Sequence, residues 1–165
     1  MKGLGRLLGL ALVLAAPSAR ADAQVVDKKV LTLEGAERVA AAAAAEARRD
    51  NAQGAIAIVD DGGNLVYLER LEGTFPAAAA VAIEKARTAA QFRRPTRAFE
   101  EAIKNGRLAL LGVSVMTPLQ GGVPITIGGQ IVGAIGVSGA ASAQKDDDIA
   151  QAASTALDTR AGLGK

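Results

Sequence analysis

The 165-residue chain contains no cysteine, no histidine and no tryptophan. Without cysteine, neither a disulfide framework nor a thiolate metal site can form. Without histidine, there is no Ser-His-Asp chemistry, no His-ligated zinc and no imidazole acid or base, so the commonest catalytic arrangements are excluded and no catalytic residue is assigned. Aromatics are scarce too, at one Tyr and three Phe. The core must therefore be built from Ala, Val, Ile and Leu, whose small side chains let backbones approach closely and favour tight packing and self-association.

A hydrophobic run long enough to cross a membrane is also missing. The apolar stretch 7–16 follows Lys2 and Arg6 and precedes small-x-small sites at 18–23. It is about half the ~20 residues that a span needs, which identifies 1–23 as a secretory signal peptide and not an anchor. Cleavage near Ala21 or Ala23 would release a periplasmic or secreted protein. The basic excess of the whole chain disappears with this leader, which holds Lys2, Arg6 and Arg20 against Asp22. The remaining 24–165 is neutral and of a size for one domain. Nothing in it supplies the basic face that a nucleic-acid partner requires.

What the chain does contain is a regular alternation of helix and strand signals. Thr32 is a good N-cap for an alanine-rich helix over 33–50, with Glu34 at the positive end of its dipole. Two apolar runs, 55–59 and 65–68, flank Asp60-Asp61-Gly62-Gly63-Asn64, a hairpin signature. A second helix is expected over 77–92 and ends before Pro95. Thr96 can cap a short third helix over 97–105. A strand is expected within 108–116, and a second hairpin pairs 123–127 with 130–138 around Gly128-Gly129. Ser142 can cap a last helix over 143–160. The order α-β-β-α-α-β-β-β-α, with strands joined by tight turns, describes an α/β chain of the α+β kind in which helices cover an antiparallel sheet.

The glycines of 128–140 do not form a phosphate loop. A dinucleotide motif needs G-x-G-x-x-G between a strand and a helix, whereas Gly133, Gly136 and Gly139 lie inside an alternating apolar run. Strand periodicity puts Ile131, Gly133, Ile135 and Val137 on one face and Val132, Ala134, Gly136 and Ser138 on the other. One face is bulky and is expected to carry helices. The other is smooth and is expected to meet something close: a helix of the same chain, a flat ligand or a second subunit.

Lys85 shares a helical stripe with Val81, Thr88 and Phe92. It either runs its methylenes along the core to reach water or points its ammonium into a pocket to hold an acid. Arg93 and Arg94 sit at the negative end of the same helix, where cations are favoured for structural reasons, and with Lys85 and Arg87 they could hold a carboxylate. Asp146, Asp147 and Asp148 are read as partners of a helix dipole and not as a metal site, since consecutive positions point in different directions.

The segments 58–64 (IVDDGGN), 85–92 (KARTAAQF) followed by 94–96 (RPT), 121–125 (GGVPI) and 133–139 (GAIGVSG) resemble, in order, the GlcG/HbpS-type family of small haem-binding proteins, also seen as the C-terminal domain of PduO-type proteins. The resemblance implies a profilin-like fold with a five-stranded antiparallel sheet, homo-oligomers that are often octamers, and haem as a cofactor. It also implies, for some exported members, a redox-sensing or haem-degrading role. A small organic (hydroxy) acid is an alternative ligand, given the family's association with glycolate metabolism. The candidate ligand-binding residues are Lys85, Thr88, Arg93, Arg94, Thr117, Gly121 and Gly122. To an iron the chain can offer only Tyr67, Met116, a lysine or an oxygen such as that of Thr117, so the axial ligand is left open. The reading is of an exported, non-catalytic binder of haem or a related small molecule.

Overall fold

A computed structural model describes residues 26–158; the expected leader 1–23 lies outside the described residues. The elements follow as α1 (Leu33–Arg49), β1 (Ala55–Asp60), β2 (Leu65–Arg70), α2 (Ala78–Phe92), α3 (Arg97–Lys104), a 3-10 turn (Leu108–Gly112), β3 (Gly122–Ile127), β4 (Gln130–Ser138) and α4 (Ala143–Ser154). Local chemistry accounts for most boundaries. Thr32 Oγ1 accepts from Gly35 N–H and Ser142 Oγ from Lys145 N–H, both at 3.1 Å, each cap contributing about 1 kcal/mol. Asp60 Oδ1 accepts from the N–H groups of Gly62 and Asn64 and so shapes the β1–β2 turn.

The strands form one antiparallel sheet in the order β2-β1-β4-β3. The described sheet has four strands where five were expected, because 108–116 folds as the 3-10 turn and a following irregular segment. Leu108 and Leu111 are exposed there, so the run that reads as a buried strand in sequence is an apolar surface.

Helices cover both faces. Ile56, Ile58, Ile125, Ile135 and Val137 meet the alanine face of α1 and Ile149, Ala150 and Ala153 of α4. On the other face Ala55, Ala57, Val59 and Ala134 meet Ala78, Ala82, Ala86 and Ala89 of α2. The close neighbour of the smooth face is thus a helix of the same chain. α2 comes so near that a Cβ at Gly136 would overlap the Ala82 carbonyl oxygen and stand 2.6 Å from Ala86 N.

Thr96 does not cap α3 through its side chain. Its Oγ1 instead accepts from Gly122 N–H at 2.8 Å, while its own N–H donates to Gly122 O at 2.9 Å. The first residue of edge strand β3 is thereby paired, and Pro124, two positions on, has no N–H to offer a further strand.

Candidate functional site

Between the 3-10 turn and β3, residues 113–121 run without regular structure, and Pro118 keeps the segment from continuing as a helix. Its backbone donors are met by side chains from three helices. Thr117 N–H donates to Thr88 Oγ1 of α2 at 2.9 Å, Gln120 N–H to Glu100 Oε2 of α3 at 2.8 Å, and Gly121 N–H to Asp147 Oδ1 of α4 at 3.1 Å. The Gly121 carbonyl accepts from Val137 N–H at 2.8 Å, which ties the end of the segment to β4.

Beneath it lies a buried ionic cluster. Lys85 is 2% exposed, and its Nζ donates to Asp146 Oδ2 at 2.8 Å and to Val137 O at 2.9 Å. Asp146 Oδ1 accepts from Ala140 N–H at 2.9 Å. The neighbouring Asp147, fully buried, pairs with Arg97 through its other oxygen. Burial pushes the Asp147 carboxyl above the usual aspartate range, against the opposing pull of Arg97 and Gly121 N–H. For Glu100 burial acts in the same sense, but Lys104, Gln120 N–H and Lys85 outweigh it and hold its carboxyl below the usual glutamate value.

Glycine is required where the segment enters the sheet. Gly121 has φ +116°, and a Cβ there would lie 2.7 Å from Val137 O and 3.1 Å from Lys85 Nζ; L-residues rarely adopt that backbone conformation.

Of the residues picked out in sequence, Lys85, Thr88, Thr117, Gly121 and Gly122 come together here. The Lys85 ammonium neither reaches water nor lines an open pocket: it is enclosed between α2, α4 and β4. Arg93 and Arg94 lie apart from this cluster. Arg94 sits over the Phe99 ring, 5.4 Å from its centroid. Arg93 is the left-handed C-cap of α2 (φ 56°) and borders a groove of about 460 Å³ with Pro124, Thr126, Thr155 and Asp158. Glu100 and Arg97 were not singled out in sequence, and Asp146 and Asp147 read there as dipole partners. The available signal was two consecutive acids, Asp146 and Asp147, on a helix whose apolar positions put both toward the sheet.

The 3-10 turn and the 113–121 segment together expose four large apolar side chains. Leu108, Leu111, Val115 and Leu119 are 61%, 63%, 63% and 46% exposed, with Met116 and Thr117 half-buried among them in sequence. Exposed Arg107 immediately precedes this stretch. Tyr67 lies on β2, at the sheet edge opposite β3, and packs against the core.

Comparison with known proteins places this architecture. Escherichia coli (strain K12) protein GlcG is 45% identical over 111 residues, which are 67% of this chain and 83% of the relative. A crystal structure of a double mutant of Streptomyces reticuli HbpS superimposes with a TM-score of 0.74 at 33% identity, covering 87% of this chain and 97% of that one. The fold also matches a PduOC:heme complex with a TM-score of 0.70 at 24% identity, covering 78% and 96%. Residues 31–155 match the family model described as "Haem degrading protein HbpS-like", and the chain belongs to that HbpS-like family.

Proposed function

We propose that the protein is an exported, non-catalytic binding protein for haem or a related flat, acidic ligand, held against the 108–119 segment of a homo-oligomer. The observation that carries this reading is the exposure of Leu108, Leu111, Val115 and Leu119 along one stretch, the C-terminal end of which, 117–121, is held by side chains of three helices. Burying such side chains contributes roughly 25 cal/mol per Å² of apolar surface. Family membership and the haem complex of a structural neighbour support the choice of ligand.

The residues present fit a haem face and its propionates better than they fit iron. Apolar contact comes from the leucines and Val115, and positive charge from Arg107. The iron-facing choices on this segment are the Met116 thioether and the Thr117 hydroxyl, with no imidazole or thiolate in the chain. Bound haem would supply a redox-active iron; the protein's part is to exclude water from one face and to pair the carboxylates. Titrating the mature protein with hemin tests the reading: a saturable Soret shift at micromolar concentration is expected, and its absence removes haem as the ligand. N-terminal sequencing and mass measurement of the protein from its host check cleavage near Ala21 or Ala23 and assembly, for which an octamer is the reference size.

Two further readings each rest on one observation. The family description names haem degradation; loss of Soret absorbance with reductant or peroxide, accompanied by a linear tetrapyrrole product, would favour an enzyme. The groove beside Arg93, Thr126 and Thr155 suits a small hydroxy acid, and a thermal shift that Arg93→Ala abolishes would favour that ligand, with Asp158 at the rim limiting its net charge.

A further inference from the structure

The end of the stretch that bears the proposed ligand face, 117–121 with Leu119, has no backbone hydrogen bonds of its own, and its position is imposed by acceptors that are distant in sequence. Each acceptor belongs to a different helix, so the segment is fixed relative to the whole frame. Two of the acceptors are carboxylates, and both oxygens of each already face donors. Asp147 faces Gly121 N–H and Arg97; Glu100 faces Gln120 N–H and Lys104. A proton added to Glu100 removes the charge that strengthens its bonds from Gln120 N–H and Lys104, because a neutral carboxyl accepts more weakly than a carboxylate.

We infer that Thr88, Glu100 and Asp147 are positioning residues that fasten 117–121 as a strap beside the ligand face, and that neutralising Glu100 loosens the strap and weakens ligand binding. This inference rests on the proposed binding face. The charged groups around Asp147 are Arg97 of α3, Lys85 of α2, and Asp146 and Asp148 of α4 itself; around Glu100 they are Lys104 of α3 and Lys85 of α2. Burial raises the Asp147 carboxyl, so the folded frame already favours its protonated form, whereas the donors around Glu100 lower its carboxyl; it is therefore the Gln120 fastening that loses its charge at a cost to the fold as pH falls below the usual glutamate range. Each fastening is a single hydrogen bond, two of the three to a carboxylate, so releasing one changes local opening by roughly five- to tenfold.

The test combines hydrogen exchange of the peptide spanning 113–121 with hemin titration, on the full mature chain and on Thr88→Val, Thr88→Ser, Glu100→Gln and Asp147→Asn. Glu100→Gln is half-buried and keeps the shape of the side chain, so it serves should Asp147→Asn fail to fold. The expected result is exchange roughly five- to tenfold faster in this peptide alone for Thr88→Val and Glu100→Gln, hemin affinity lowered by a similar factor, and near-normal behaviour of Thr88→Ser. The wild-type to Glu100→Gln affinity ratio should also fall as pH drops, and taking a ratio cancels hemin's own titration. Unchanged exchange, or faster exchange with unchanged hemin affinity, overturns the inference while leaving haem binding intact. No hemin binding by the wild-type chain overturns the binding role of the strap together with the proposed function, and exchange then reports only whether the fastening exists.

Discussion

Gly136 of β4 lies directly beneath Ala82 of α2, with no room for a Cβ between the strand and the helix backbone. That contact sets the spacing of the smooth face and carries α2, with Lys85 and Thr88, down onto the sheet. Gly136→Ala is expected to lower stability by about 3 kcal/mol or more, since backbone atoms cannot swing aside as a side chain can. Urea unfolding followed by circular dichroism measures it; an unchanged midpoint would mean that α2 can lift without cost.

Lys85 and Asp146 form a buried pair whose polar atoms are also met by Val137 O and Ala140 N–H. Removing one partner leaves the other charge buried, so Lys85→Met alone is expected to cost about 3–5 kcal/mol. Adding Asp146→Leu should recover a substantial part of that loss. A double mutant no more stable than Lys85→Met would show that the pair is not energetically coupled.

The two strap carboxylates are expected to respond to acid with opposite signs. Asp147 has a raised folded pKa, so between its unfolded value near 3.8 and that higher value the folded state binds the extra proton, and stability from this group falls as pH rises. Glu100 has a lowered folded pKa, so its contribution is present above its unfolded value near 4.5 and is lost as pH falls below it. The stability difference between wild type and Asp147→Asn should therefore grow on acidification, and that between wild type and Glu100→Gln should shrink. Urea titrations at a series of pH values separate them; slopes of the same sign would contradict the assignment.

Features fixed within a few residues were readable from sequence, and features fixed across the chain were not. The Thr32 and Ser142 caps, the Asp60–Asn64 turn and the bulky and smooth faces of β4 each follow from local spacing, and each is found except at Val132, expected on the smooth face but packed with the bulky-face cluster where the β3–β4 register shifts. Thr96 looked like an ordinary cap because its true partner, Gly122, lies 26 residues away. Asp146 and Asp147 looked like dipole partners for the same reason: Lys85, Arg97 and Gly121 reach them only once the sheet has formed. The run 108–116 has a buried strand's composition but no neighbouring strand to pair with, since β3 is edged by Thr96 and Pro124, so its leucines remain on the surface. The same exposure is the basis of the proposed ligand face. For Lys85 the stripe with Phe92 left two readings, a reach to water or an ammonium held in a ligand pocket, and the structure shows neither: an aspartate of α4, distant in sequence, already occupies its ammonium.

The most direct measurement for the central claim is the hemin dissociation constant of the mature protein beside that of Leu111→Asp. Leu111 is 63% exposed, so the substitution should change folding stability by no more than about 0.5 kcal/mol, while a charge placed against an apolar ligand face should weaken binding by at least roughly tenfold. The account predicts saturable micromolar binding by the wild-type chain, lost or strongly weakened in Leu111→Asp at an unchanged melting temperature. Equal affinities for the two proteins, or no binding by the wild-type chain, would contradict it.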